Sequence, residues 1–74
     1  KKHEKEIKMD KYYVLYGLTT NKYFTAEKSL SNKWSKAWMF GSKSETIEYL
    51  NNNKLELTNF TLERFWTIKE FYII

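Results

Sequence analysis

The chain has 74 residues, a formal net charge of +4, and neither cysteine nor proline. That length suits one domain and excludes enzyme architectures built on a large sheet wrapped by helices. Without cysteine there is no disulfide framework and no thiolate metal site. No apolar run approaches the roughly 18–20 residues of a membrane-spanning helix, and the first residues lack the apolar stretch of a signal peptide. The expectation is a cytoplasmic protein with no membrane association.

Aromatic residues are abundant: three Trp, six Tyr and five Phe. The charge is uneven. Residues 1–21 carry five Lys against Glu4, Glu6 and Asp10, for +2. Residues 22–43 carry Lys22, Lys28, Lys33, Lys36 and Lys43 against Glu27, for +4, and residues 44–74 come to −2. The middle band suits an anionic partner. Its cations are all lysines, which attract phosphate diffusely rather than reading bases through bidentate contacts, so sequence-specific DNA recognition is disfavoured.

In chain order, residues 1–10 alternate charges and read as a flexible arm, followed by a single domain over 11–74. Residues 11–18, KYYVLYGL, are β-forming and apolar on both faces, which predicts a central strand. A polar turn at Thr19–Lys22 leads to a second strand over Tyr23–Ala26, giving a hairpin. Residues 27–33 read as a loop. Trp34, Ala37 and Trp38 have the spacing of a short helical turn, with Phe40 completing the cluster and Gly41 ending it in a left-handed conformation. Ser42-Lys43-Ser44-Glu45 is a capping-box pattern opening a helix from about Lys43 to Asn51, with Ile47 and Leu50 turned onto the sheet and Thr46 beside them. Asn51-Asn52-Asn53 stops it. From Leu55 onward an alternating pattern predicts one long strand, or two broken near Glu63-Arg64. The fold class is α+β: a small antiparallel sheet, from the N-terminal hairpin and the C-terminal strand or strands, packed by one short helix.

Catalytic chemistry is poorly supplied. His3 is the lone histidine and sits in the arm, so no His pair can hold a metal and none frames a nucleophile. With two glycines there is no phosphate-cradling loop. Neither enzyme activity, metal nor cofactor is expected. Most rings must form the core, with Val14, Leu15, Tyr16, Phe24, Phe40, Ile47, Leu50, Leu62, Trp66 and Ile68 as its candidates. A thin sheet cannot cover every ring, so some of Tyr13, Tyr23, Trp34, Trp38, Phe65, Phe71 and Tyr72 should stay partly exposed and serve a partner. The candidate site combines rings with positive charge: Lys22, Lys28, Lys33, Trp34, Lys36, Trp38 and Lys43. It could stack single-stranded bases or anchor a protein interface. Of the two tryptophans, Trp38 is expected to be the buried one. Phe71, Tyr72, Ile73 and Ile74 offer a seam for a homodimer.

The run over Lys11–Tyr16, followed by Trp34, Ala37, Phe40, Ser42, Glu45, Tyr49 and Leu50, resembles small α+β proteins encoded by phages and mobile elements of low-GC bacteria. Some proteins of that kind inhibit host defence nucleases, anti-CRISPR proteins among them. The resemblance implies a non-catalytic inhibitor in the bacterial host cytosol. It would occlude a host protein, such as a CRISPR effector or another nucleic-acid-handling machine. A second reading is a nucleic-acid-binding accessory protein that uses the Lys/Trp band, and a third is a purely structural or self-associating domain.

Overall fold

A computed structural model describes residues 10–73. It shows the α+β fold with an antiparallel four-stranded sheet: β1 (Asp10–Gly17), β2 (Tyr23–Phe24), β3 (Leu30–Ser31) and β4 (Trp66–Ile73), in the order β3-β2-β1-β4. Between β3 and β4 lie a 3-10 turn (Trp34–Lys36), α1 (Lys43–Asn52) and α2 (Lys54–Thr61). The arm lies outside the described residues, apart from Asp10, which opens β1.

β1 is central, as its two apolar faces predict: Val14 and Leu15, neighbours pointing to opposite faces, are both fully buried. It pairs along its whole length with β4, from Asp10↔Ile73 to Gly17↔Trp66. The expected hairpin to β2 forms, with Tyr16↔Tyr23 in register, but β2 ends at Phe24 rather than at Ala26, where the chain turns. The loop expected over 27–33 contains β3, whose two residues pair with β2. Thr25 and Ser29 brace that turn through a hydroxyl contact of 2.8 Å. Beyond the 3-10 turn the chain returns to the sheet, and Phe40 exchanges backbone bonds with Tyr13 at 3.0 and 2.8 Å.

Ser42 caps α1, its hydroxyl accepting from the Glu45 amide at 3.1 Å. Thr46 is the fully buried residue of α1, its hydroxyl donating to the Ser42 carbonyl at 2.8 Å, whereas Ile47 is exposed. This corrects the expectation that Ile47 packs on the sheet. The helix stops at Asn53, whose side-chain amide donates to the Tyr49 carbonyl at 2.9 Å. The stop is a bend rather than an end. The Leu57 amide donates to the Asn53 carbonyl at 2.8 Å and the chain continues as α2. A second helix thus replaces the strand expected from Leu55: the chain leaves the helical conformation at Asn53 (φ −120°, ψ 21°) and starts a new helix that buries Leu57 in the core. Strand structure begins only at Trp66.

The core lies between the inner sheet face and the helices: Leu15, Phe24, Phe40 and Leu57 are buried, with Tyr13, Trp38, Tyr49, Leu50, Trp66 and Ile68 packed around them. Leu62, a predicted core residue, is 84% exposed. It ends α2 in the left-handed conformation, φ 59°. Gly41 is not left-handed as expected; that conformation falls instead on Asn21, Lys28 and Leu62.

The residue after Leu62 links two segments distant in the chain. Glu63 is fully buried, and its carboxylate accepts from the amides of Thr19 (3.1 Å to each oxygen) and Thr20 (2.8 Å). It therefore ties the β1–β2 turn to the segment entering β4. A Cβ at Gly17 would collide with this carboxylate and with the Thr20 hydroxyl, so a side chain at position 17 would have to push Glu63 off its donors. Burial alone would raise the Glu63 pKa, but the donors from Thr20 and Thr19 outweigh it and hold the group at about 2, below the ordinary 4.5.

A carboxylate whose pKa is depressed by folding stabilises fully above its unfolded pKa, and the contribution fades as pH falls through the folded one. Glu63 should therefore contribute at neutral pH and lose its effect between pH 4.5 and about 2. Glu63→Gln, which keeps the shape but removes the charge, should cost about 1.5–3 kcal/mol in urea unfolding at pH 7 and flatten the acid limb of the stability profile. A second test uses Leu62→Gly. Relief of a left-handed leucine, worth ~1–2 kcal/mol, exceeds the added freedom of the unfolded chain, so the variant should gain about 0.5–1 kcal/mol.

Candidate functional site

The β-strand alternation divides the predicted site residues between two faces. Trp38 belongs to the inner face, 4.8 Å from both Phe40 and Tyr49 and 6.2 Å from Phe24 between ring centres. Trp34 belongs to the outer face, where it stacks on Phe71 at 5.8 Å. The structure does not bring the two tryptophans together. Trp34 is more than half exposed; Trp38, expected to be buried, is the more buried of the two but only partly so, packed against the core.

The register builds the outer face. Tyr12↔Phe71, Val14↔Lys69 and Tyr16↔Thr67 share it on β1 and β4, and the pairs Tyr16↔Tyr23 and Tyr23↔Ser31 extend it across β2 and β3. Tyr16 and Tyr23 meet edge to face at 4.9 Å, and Tyr23 reaches Phe71 at 6.0 Å. The Lys69 ammonium sits 3.9 Å from the Tyr16 ring centre, close enough for cation–π attraction. Val14 is fully buried on this same face, so part of the ring layer acts as its cover.

Lys22, Lys28, Lys33, Lys36 and Lys43 are all exposed. Lys33 and Lys36 flank Trp34, with Lys36 ending the 3-10 turn; Lys43 opens α1, away from that turn in the chain. Lys28 occupies the left-handed position of the β2–β3 turn, φ 59°. Among the described residues no group of three or more His, Cys, Asp or Glu could hold a metal ion. No helix among them is long and apolar enough to cross a membrane.

Five exposed apolar side chains on and near α2 did not enter the predicted site. Leu18, Leu55, Phe60, Leu62 and Phe65 are each more than half exposed. Leu55 and Phe60 line an open groove along α2, with Asn52, Asn53, Glu56 and Asn59. Leu18 and Phe65, joined by a 2.9 Å backbone bond, border a hollow with Trp66 and Leu50 at its wall and Lys54 and Arg64 beside them. The sequence signal for this surface was the excess of apolar residues over 55–65, which the strand expectation assigned to a sheet. Of the proposed dimer seam, Phe71 belongs to the outer ring layer and Tyr72 is more than half exposed; Ile74 lies outside the described residues.

The chain matches no family model, no curated protein and no solved structure.

The contrast between the tryptophans is measurable. Trp38→Ala should cost about 2–4 kcal/mol, toward the lower part of the range for truncating a core aromatic because the ring is only partly buried. Trp34→Ala should cost about 1 kcal/mol, the worth of one exposed ring pair. Lys33→Glu with Lys36→Glu should change stability by less than ~0.5 kcal/mol. Equal losses for the two tryptophans in urea unfolding would contradict the assignment of faces.

Proposed function

We propose that the protein is a non-catalytic binding protein that inhibits a host protein by occlusion. The observation supporting this most is the apolar surface around α2. A small domain that can bury leucine and phenylalanine leaves Leu55 at 75% exposure, with Leu18, Phe60, Leu62 and Phe65 also open. Solvated apolar side chains of this size and number favour association, because burying each removes apolar area from water. Phenylalanine and leucine anchors set in a rim of Asn52, Asn53, Glu56 and Asn59 have the composition of a protein-binding surface. The partner's class follows from the resemblance to phage and mobile-element proteins: a host defence complex such as a CRISPR effector. The exposed lysines favour an acidic part of that partner's surface and speed encounter with it.

A plasmid-interference assay tests this in bacteria carrying an active CRISPR effector. Co-expression of the chain should restore plasmid uptake, and Phe60→Asp with Phe65→Asp should abolish the restoration while leaving the far-UV circular dichroism unchanged. Undiminished interference in the presence of the folded wild-type chain would contradict the reading.

A further inference from the structure

We infer that the outer face of the sheet, centred on Trp34, is a stacking site for single-stranded nucleic acid. The inference stands apart from the apolar surface around α2 and uses none of its residues. Three observations converge on Trp34. Its ring is braced on one side by Phe71 at 5.8 Å, yet remains more than half exposed, so an indole face is held ready for a planar ligand. The ring layer continues from Phe71 through Tyr23 to Tyr16, giving further aromatic surface along the sheet.

Charge selects the occupant. Over positions 12–16, 23, 31 and 67–71, the outward-facing residues include the cation Lys69 and no carboxylate. Lys33 and Lys36, both exposed, stand one residue before and two residues after Trp34 in the chain. The carboxylates of β4 and its approach are turned elsewhere: Glu70 is on the inner face, paired with Lys11 at 3.0 Å, and Glu63 is buried under the β1–β2 turn. Beside Trp34 in the chain, the β2–β3 turn and the 3-10 turn enclose a groove of about 420 Å³. Ser29, Ser31, Ser35 and Lys36 line it, with Glu27 as its one carboxylate. An exposed indole, with hydroxyls and a lysine on the residues that follow it in the chain and on the neighbouring turn, offers the three contacts a nucleotide needs: a base to stack, a sugar to hydrogen-bond, and a phosphate to neutralise. A duplex hides its base faces, so the site favours single strands. Lysine rather than arginine chemistry makes it tolerant of sequence.

Fluorescence anisotropy with labelled oligothymidine, oligouridine and a duplex of the same length tests the inference on the full chain. Either single strand or both should bind more tightly than the duplex, with affinity falling steeply between ~50 and ~200 mM salt. Trp34→Ala should weaken binding about tenfold or more, and Trp34→Phe should retain most of it, since any aromatic ring supplies a stacking face. Lys33→Gln with Lys36→Gln should lower the salt slope by ~0.7 for each phosphate the lysines no longer neutralise. Far-UV circular dichroism confirms that each variant is folded. No single-strand binding at low salt, equal affinity for the duplex, or undiminished binding by Trp34→Ala would each overturn the inference. Equal affinity for polyglutamate would overturn it too, by identifying an acidic protein surface as the occupant. The Phe60 and Phe65 variants should bind oligonucleotide normally, which separates this outcome from the interference assay.

Discussion

One buried carboxylate ties the first hairpin to the entry of the last strand. Glu63 comes after α2 and before β4, and it accepts from the amides at the tip of the β1–β2 turn. That contact joins the first hairpin to the last strand, segments more than forty residues apart in sequence. Three local features depend on it. Glycine at position 17 leaves the carboxylate the space that a side chain would take from it. Thr19 and Thr20 find acceptors for amides that the turn leaves unpaired within the sheet. Leu62 accepts a left-handed backbone at the end of α2, a strain of ~1–2 kcal/mol, in the step that delivers Glu63 to its donors. The alternative, an uncompensated buried charge, would cost more.

With β4 fixed beside β1, strand alternation separates the aromatic residues into two populations with different work. Phe24, Phe40, Trp38, Tyr49 and Trp66 close around Leu15 on the inner face and supply most of the core. Tyr16, Tyr23, Phe71 and Trp34 lie on the outer face, where no helix covers them. Binding surface therefore arises from the thinness of the fold. Two short helices can cover only one face of a four-stranded sheet, and α2 buries only Leu57 well, leaving its other apolar residues to solvent. The same shortage of layers that limits stability leaves two chemically distinct surfaces, one apolar and one aromatic with lysines at its margin.

The parts of this fold that were legible in the sequence are those governed by local rules. β1 is written in its run of tyrosines and aliphatics, its hairpin in the polar turn that follows, and the start of α1 in Ser42 and Glu45. What escaped was decided by neighbours. α2 carries apolar residues at 55 and 57 in a strand-like alternation, but as a helix restarted after Asn53 it buries Leu57 in a core that only the folded chain provides. β3 has only two residues and exists because β2 offers an edge. Thr46 displaced Ile47 from the core because a threonine that bonds back to Ser42 leaves no unpaired hydroxyl behind. In the candidate site, exposure of the lysines and the split between Trp34 and Trp38 were readable from composition and spacing. Their separation onto opposite faces was not, because the helical spacing of 34, 37 and 38 ends when the chain extends at Ala37.

The protonation of Glu63 tests this account most directly. Carbon-detected NMR across the acid range can follow its carboxyl carbon together with the Thr19 and Thr20 amides. The account predicts one shared midpoint at about 2, with both amides shifting as the carboxylate is lost and protected from solvent exchange at neutral pH. A midpoint near the ordinary 4.5, with the Thr20 amide exchanging freely, would contradict it.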